Sequence, residues 1–163
     1  MRTILLALAL VTTTALSRAT EPEYPKQGTD IYSPTADASA DITAALASAR
    51  ATHRHVLLDF GANWCVWCHR LHHTFDTDSQ VSAALSRDFV VVMVDVNTRH
   101  GVNRNAAVNA HYGNPIQRGL PVLVVLDANG QQLTTQDSGA LEEGAGHSPT
   151  KILAFLARWA PAR

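Results

Sequence analysis

Cys65 and Cys68 are the only two cysteines in this chain of 163 residues, and they stand three apart. A structural disulfide stabilises mainly by closing a loop, and more so when the loop is long. A pair this tight gains little that way, so its spacing points to chemistry. At a helix start, the first thiol meets unpaired backbone N–H groups and the positive end of the helix dipole, which favour its thiolate. Cys65 then attacks a disulfide, and Cys68, one turn on, resolves the mixed disulfide. Two other chemistries compete for the same residues. Cys65-Val66-Trp67-Cys68-His69 fits C-x-x-C-H, the attachment pattern of a c-type haem, with a histidine as distal ligand, since Met93 reads as core. Cys65, Cys68, His69, His72 and His73 also offer soft ligands to zinc or copper. Consecutive helical residues are rotated by about 100°, which spreads these histidines around a helix. A haem would displace the core that surrounds the pair. The preferred reading needs no cofactor and no metal.

The elements that must position the pair are legible around it. Val56-Leu57-Leu58-Asp59-Phe60 is a short apolar run closed by Gly61, the pattern of a buried strand. Asp59 inside it is costly unless it has a purpose; the plain alternative is an Asp at a strand end facing water. Cys68, Leu71 and Phe75 share one helical face, so the cysteines sit at a helix start. Ahead of the strand, Ile42, Ala45, Leu46 and Ala49 recur at helical spacing, with Ser39 or Asp41 as cap. Beyond the pair, Val81, Ala84 and Leu85 predict a helical turn or two. Phe89 to Val96 predicts a central β-branched strand, and Asn103 to Tyr112 a helix ended by Gly113-Asn114-Pro115. Pro121 opens a strand over Val122 to Leu126. Asp127 to Gly130 is a hairpin turn, and Gln131 to Thr135 returns as an edge strand. Ser148 caps a last helix with Pro149 in its first turn and Ile152, Phe155, Leu156 and Trp159 on its core face. Helices between strands imply parallel pairing, and the hairpin adds an antiparallel strand. The expectation is an α/β domain whose small mixed sheet has helices on both faces.

Composition narrows the setting. The formal net charge is −1 and no basic run appears, so no nucleic-acid partner is expected. Arg2, the apolar run Ile4 to Val11 and the small residues of Ser17-Arg18-Ala19 read as a signal peptide over residues 1–19, cleaved after Ala19. The run is too short to span a bilayer, which takes about 20 residues, so stable membrane insertion is not expected. Residues 20–37 read as an extended lead-in and residues 38–163 as the domain. The product would be periplasmic or secreted. His53, His55, His100, His111 and His147 read as scattered surface residues.

The stretch from Val56 through Gly61-Ala62-Asn63-Trp64 to Cys68 resembles the active-site strand and loop of the thioredoxin-like superfamily. Gly119-Leu120-Pro121, followed by a strand and the Asn129-Gly130 turn, resembles that family's cis-proline segment. The likeness runs over roughly Ile42 to Trp159 and implies a thioredoxin-like fold and an exported thiol–disulfide oxidoreductase. It implies that Asp59 is a buried acid that takes the proton of Cys68, that Pro121 is cis and faces the cysteines, and that Leu120 offers its backbone to an extended substrate. Trp64 is implied at the rim of the substrate site; a core aromatic is its alternative. The implied partners are protein disulfides and a membrane-bound or soluble reductase that supplies electrons. The direction favoured is reduction or exchange, with a disulfide oxidase as the alternative. The sequence departs from thioredoxin itself in three places. Val66-Trp67 stands between the cysteines where thioredoxin has Gly-Pro. The helix after Cys68 has no proline kink. The segment His100 to Arg118 is long and polar. The Trp-Cys-x-x-Cys signature is closer to that of exported thioredoxin-like reductase domains.

Overall fold

A computed structural model describes residues 28–99 and 101–162. The expected signal peptide with its expected cleavage site, the first part of the expected lead-in and His100 lie outside the described residues. The elements are α1 (Ala38–Thr52), β1 (His55–Gly61), α2 (Val66–Thr77), α3 (Ser79–Asp88), β2 (Phe89–Asp95), α4 (Ala106–His111), β3 (Val122–Leu126), β4 (Gln132–Asp137), the two-residue strands β5 (Glu142–Glu143) and β6 (Gly146–His147), and α5 (Pro149–Trp159). The main sheet runs β2-β1-β3-β4. β1 is parallel to β2 and antiparallel to β3, and β3 is antiparallel to β4. This is the mixed four-stranded sheet with helices on both faces that the element order implies.

The pleat divides the core. Successive side chains of a strand point to opposite faces. Val56, Leu58 and Phe60 of β1 join Val122, Val124 and Leu126 of β3 against α1 and α4. Leu57, with Leu123 and Val125, faces α2, α3 and α5, where Leu71, Phe75, Val81, Ile152 and Phe155 complete the second layer. Asp59 is two residues from Leu57 and pairs in register with Met93 and Leu123. The pleat therefore turns its carboxyl toward the α2 layer.

Several local expectations change. β2 is an edge strand, and Val91 on it is among the exposed large apolar residues. Its β-branched run, which suggested a central position, is explained by α1 packing across it. The cap of α1 is Asp37, whose carboxylate accepts from Ser39 N at 2.9 Å and Ala40 N at 3.2 Å, so the helix starts earlier than the Ser39 or Asp41 cap implied. Ser148 holds the N-cap position of α5, but its hydroxyl makes no capping bond; Pro149 in the first turn, which needs no N–H partner, starts the helix. His147 is buried, 5% exposed, against the edge of Trp67, because the β5–β6 hairpin folds it onto α2. The lead-in is not a free tail: Tyr32 within it is wholly buried.

Candidate active site

The sequence of α2 places its cysteines by capping. Cys65 is the N-cap, extended in backbone, and its Sγ accepts a hydrogen bond from Cys68 N at 3.1 Å. One of the orphan N–H groups of the first turn, that of Cys68, thus points at the first sulfur. Cys65 and Cys68 are joined in a disulfide, with their Cα atoms 5.2 Å apart. Cys65 is 5% exposed and Cys68 0%, so an incoming thiol can reach only the first sulfur. Cys68 turns inward onto the end of β1. A Cβ on Gly61 would stand 2.8 Å from Cys68 Sγ and would run into the Tyr32 hydroxyl. Only a residue without a side chain admits both.

Asp59 lies under this packing and is entirely buried. That excludes the water-facing alternative. Burial pushes its carboxyl up to about 7, and a hydrogen bond donated by Tyr32 Oη to Oδ1 at 3.0 Å opposes the rise. Oδ2 is buried with no hydrogen-bond partner among the described residues. A carboxyl in this state gains or loses a proton near neutral pH, which suits it to serve a thiol.

Trp64 stands at the rim and is half-buried. Its Nε1 donates to Asn97 Oδ1 at 3.0 Å, and the Arg99 guanidinium lies 3.6 Å from its ring centroid. The Leu120–Pro121 bond is cis, and Leu120 packs against the cysteine cluster. A groove of about 520 Å³ runs past the pair, lined among others by Trp64, Cys65, Trp67, Arg99, Ile116 and Leu120. Cys65, Cys68, Asp59, Trp64 and Leu120 are thus brought together, with Pro121 buried directly behind Leu120.

The two competing chemistries fit the geometry poorly. His69 Nε2 donates to Asn63 O at 2.9 Å, and His72 Nδ1 pairs with Asp76 at 3.0 Å, so each has a partner other than the cysteines. Among the described residues no group of three His, Cys, Asp or Glu side chains is placed to hold a metal ion. A haem thioether at Cys68 would have to occupy the space filled by Gly61 and Tyr32.

Two site residues escape sequence reasoning. Tyr32 is one, and its only signal is that Ile31-Tyr32 is an apolar pair inside a polar stretch. Asn63 is the other. Its Oδ1 accepts from Ile31 N at 3.0 Å and Tyr32 N at 2.9 Å, and its Nδ2 donates to Tyr32 O at 2.8 Å. No residue spacing announces that contact.

Comparison with known proteins agrees with this geometry. A family model described as thioredoxin-like matches residues 37–128. The chain belongs to the thioredoxin-like family. It is 36% identical over 93 residues, 57% of its own length, to the thiol:disulfide interchange protein DsbD of Ralstonia nicotianae, and spans 14% of that protein. It resembles the crystal structure of a disulphide isomerase from Xylella fastidiosa Temecula1 at 34% identity and a TM-score of 0.69, over 78% of this chain and 95% of that one. A thioredoxin from Thermus thermophilus aligns at 25% identity and a TM-score of 0.51, over 71% and 81%. Family membership and the Cys65–Cys68 disulfide make the chain a thiol–disulfide oxidoreductase. No helix among the described residues is long and apolar enough to cross a membrane.

Proposed function

We propose that the chain works after export, in the periplasm or outside the cell, and reduces or exchanges disulfides in protein substrates. Electrons come from a membrane-bound or soluble reductase. The observation that carries the reading is the joining of three groups: Cys65 at the helix N-terminus, Cys68 buried behind it, and the buried Asp59, bonded to the Tyr32 hydroxyl that meets Cys68 Sγ above Gly61. The Cys65 thiolate attacks a substrate disulfide, supported by the first-turn N–H groups. The Cys68 thiol then gives its proton to Asp59 and closes on Cys65, releasing the substrate thiol. The groove between Trp64 and Leu120 takes the substrate segment that carries the disulfide, and the backbone at Leu120 supplies strand-like hydrogen bonds.

Reduction is favoured over oxidation by three features. Asp59 and the Trp64-Cys65 junction follow the reducing members of the family. Among the described residues no large helical insertion lies between the strands. Disulfides outside the cytoplasm are oxidised by default, so a small exported domain is useful where some must be reduced or reshuffled. Equilibration of the pair with a redox buffer should give a potential near that of thioredoxin, about −270 mV, and Cys68→Ser, but not Cys65→Ser, should accumulate mixed disulfides with its partners. A potential near about −120 mV with rapid oxidation of a reduced substrate would favour the oxidase. Trapping on Cys65→Ser would reverse the two cysteine roles.

A further inference from the structure

We propose that Tyr32 is a positioning residue of the active site: the segment ahead of α1 straps across the buried side of the cysteine pair and holds Asp59 by one carboxylate oxygen, leaving the other to take the proton of Cys68. The inference rests on the reading of Asp59 as the base for Cys68 and adds the residue that controls it. Tyr32 lies ahead of the span the family model matches, residues 37–128.

The geometry is specific. Tyr32 is 0% exposed although it sits in a polar segment just ahead of Pro34. Its hydroxyl donates to Asp59 Oδ1, while Oδ2 keeps its lone pairs unengaged. The hydroxyl and Cys68 Sγ converge on the same small space above Gly61. The strap is held at two points. Asn63, two residues before Cys65, clamps the backbone of Ile31 and Tyr32 through three hydrogen bonds. Arg104 donates to Pro34 O and pairs with Asp95 at 3.1 Å. A buried hydroxyl aimed at a buried carboxylate has a cost unless both are satisfied; here it satisfies one oxygen and leaves the functional one open.

The strap acts on Asp59 in two opposed ways. It keeps water out, which raises the affinity of the carboxyl for a proton, and it donates a hydrogen bond, which lowers that affinity. The groups around the site are few. Cys68 on α2 and the Tyr32 hydroxyl that donates to Asp59 both stand above Gly61, and Met93 and Leu123, the register partners of Asp59 in the sheet, carry no charge. Asp95, at the end of β2, acts on Tyr32 and is itself opposed by Arg104 and reinforced by Asp30. In the resolving step the Cys68 thiol gives its proton to Asp59 Oδ2. The freed electron pair forms the S–S bond to Cys65. The bond between Cys65 and the substrate sulfur breaks, and its pair leaves on that sulfur. Two electrons pass from the cysteine pair to the substrate, and Tyr32 keeps its own proton throughout.

The test uses Tyr32→Phe, which removes one hydroxyl and keeps the ring that fills the space. The Asp59 carboxyl is followed by carbon NMR across pH in the oxidised protein, and release of a chromophoric substrate thiol is timed in single turnover. Loss of a hydrogen bond to the ionised form should move the Asp59 midpoint up by about one pH unit and slow resolution about tenfold on the acid side. The first step, attack by Cys65, should be unchanged. An Asp59 midpoint that stays in place in Tyr32→Phe overturns the positioning role. Asp59→Asn should slow resolution and remove the part of its pH dependence that follows the Asp59 midpoint, leaving only the rise with solvent hydroxide; if the part that follows the Asp59 midpoint survives, the reading of Asp59 as base fails, and the inference with it.

Discussion

Replacing Asp59 by Asn should change how stability depends on pH, and the effect can be sized. The ordinary value of an aspartate is 3.8, and burial lifts that of Asp59 to about 7. Between these two values the native state keeps a proton that the unfolded chain has lost. The stability this proton contributes is complete below the unfolded value and is lost as pH rises through the native one. At about 1.4 kcal/mol per pH unit, the gap corresponds to about 4 kcal/mol. The Asn amide has the shape of the protonated acid and can still accept from Tyr32, but it does not titrate. The oxidised protein should therefore lose about 4 kcal/mol more than Asp59→Asn between about pH 4 and pH 8. With a urea slope of about 2 kcal/mol per molar, the difference between the two midpoints should move by roughly 2 M across that range. His147, whose value is lowered mainly by burial, adds a slope of opposite sign. It is common to both proteins and cancels in the difference. With the disulfide intact, neither cysteine titrates. Parallel stability curves for the two proteins would show that Asp59 does not hold its proton to neutral pH, and would remove the physical basis for its role as a base.

Gly61→Ala places a methyl group against Tyr32 and Cys68, so it should destabilise by roughly 1–3 kcal/mol in thermal or urea unfolding and expose the tyrosine to solvent perturbation; an unchanged midpoint would mean that the approach is looser than described. Ile152→Ala empties a fully buried position between α5 and the sheet and should cost about 2–5 kcal/mol in urea unfolding, while leaving the potential of the cysteine pair in place.

The sequence by itself determined the elements and most of the chemistry. The run Val56 to Phe60 has the length and branching of a buried strand, Leu71 and Phe75 follow Cys68 at helical spacing, and a thiol before such a helix meets its free N–H groups whatever surrounds it. These are local rules that need only neighbours in the chain. Asp59 was visible for a related reason: a charge within an apolar run is costly enough to mark itself. What the tertiary structure decided depends on contacts between distant segments. β2 carries the composition of a central strand, yet it lies at the edge, because strand order is set by crossovers that composition does not record. His147 is separated from Trp67 by about half of the chain, and the β5–β6 hairpin brings them together. Tyr32 shows the difference most clearly. Its surroundings in sequence are polar and proline-bounded, the composition of a loose connector, and its burial comes from Asn63 more than thirty residues away. A side-chain amide that clamps a remote backbone leaves no periodicity to read, so the residue that holds the buried acid becomes visible only once the chain is folded.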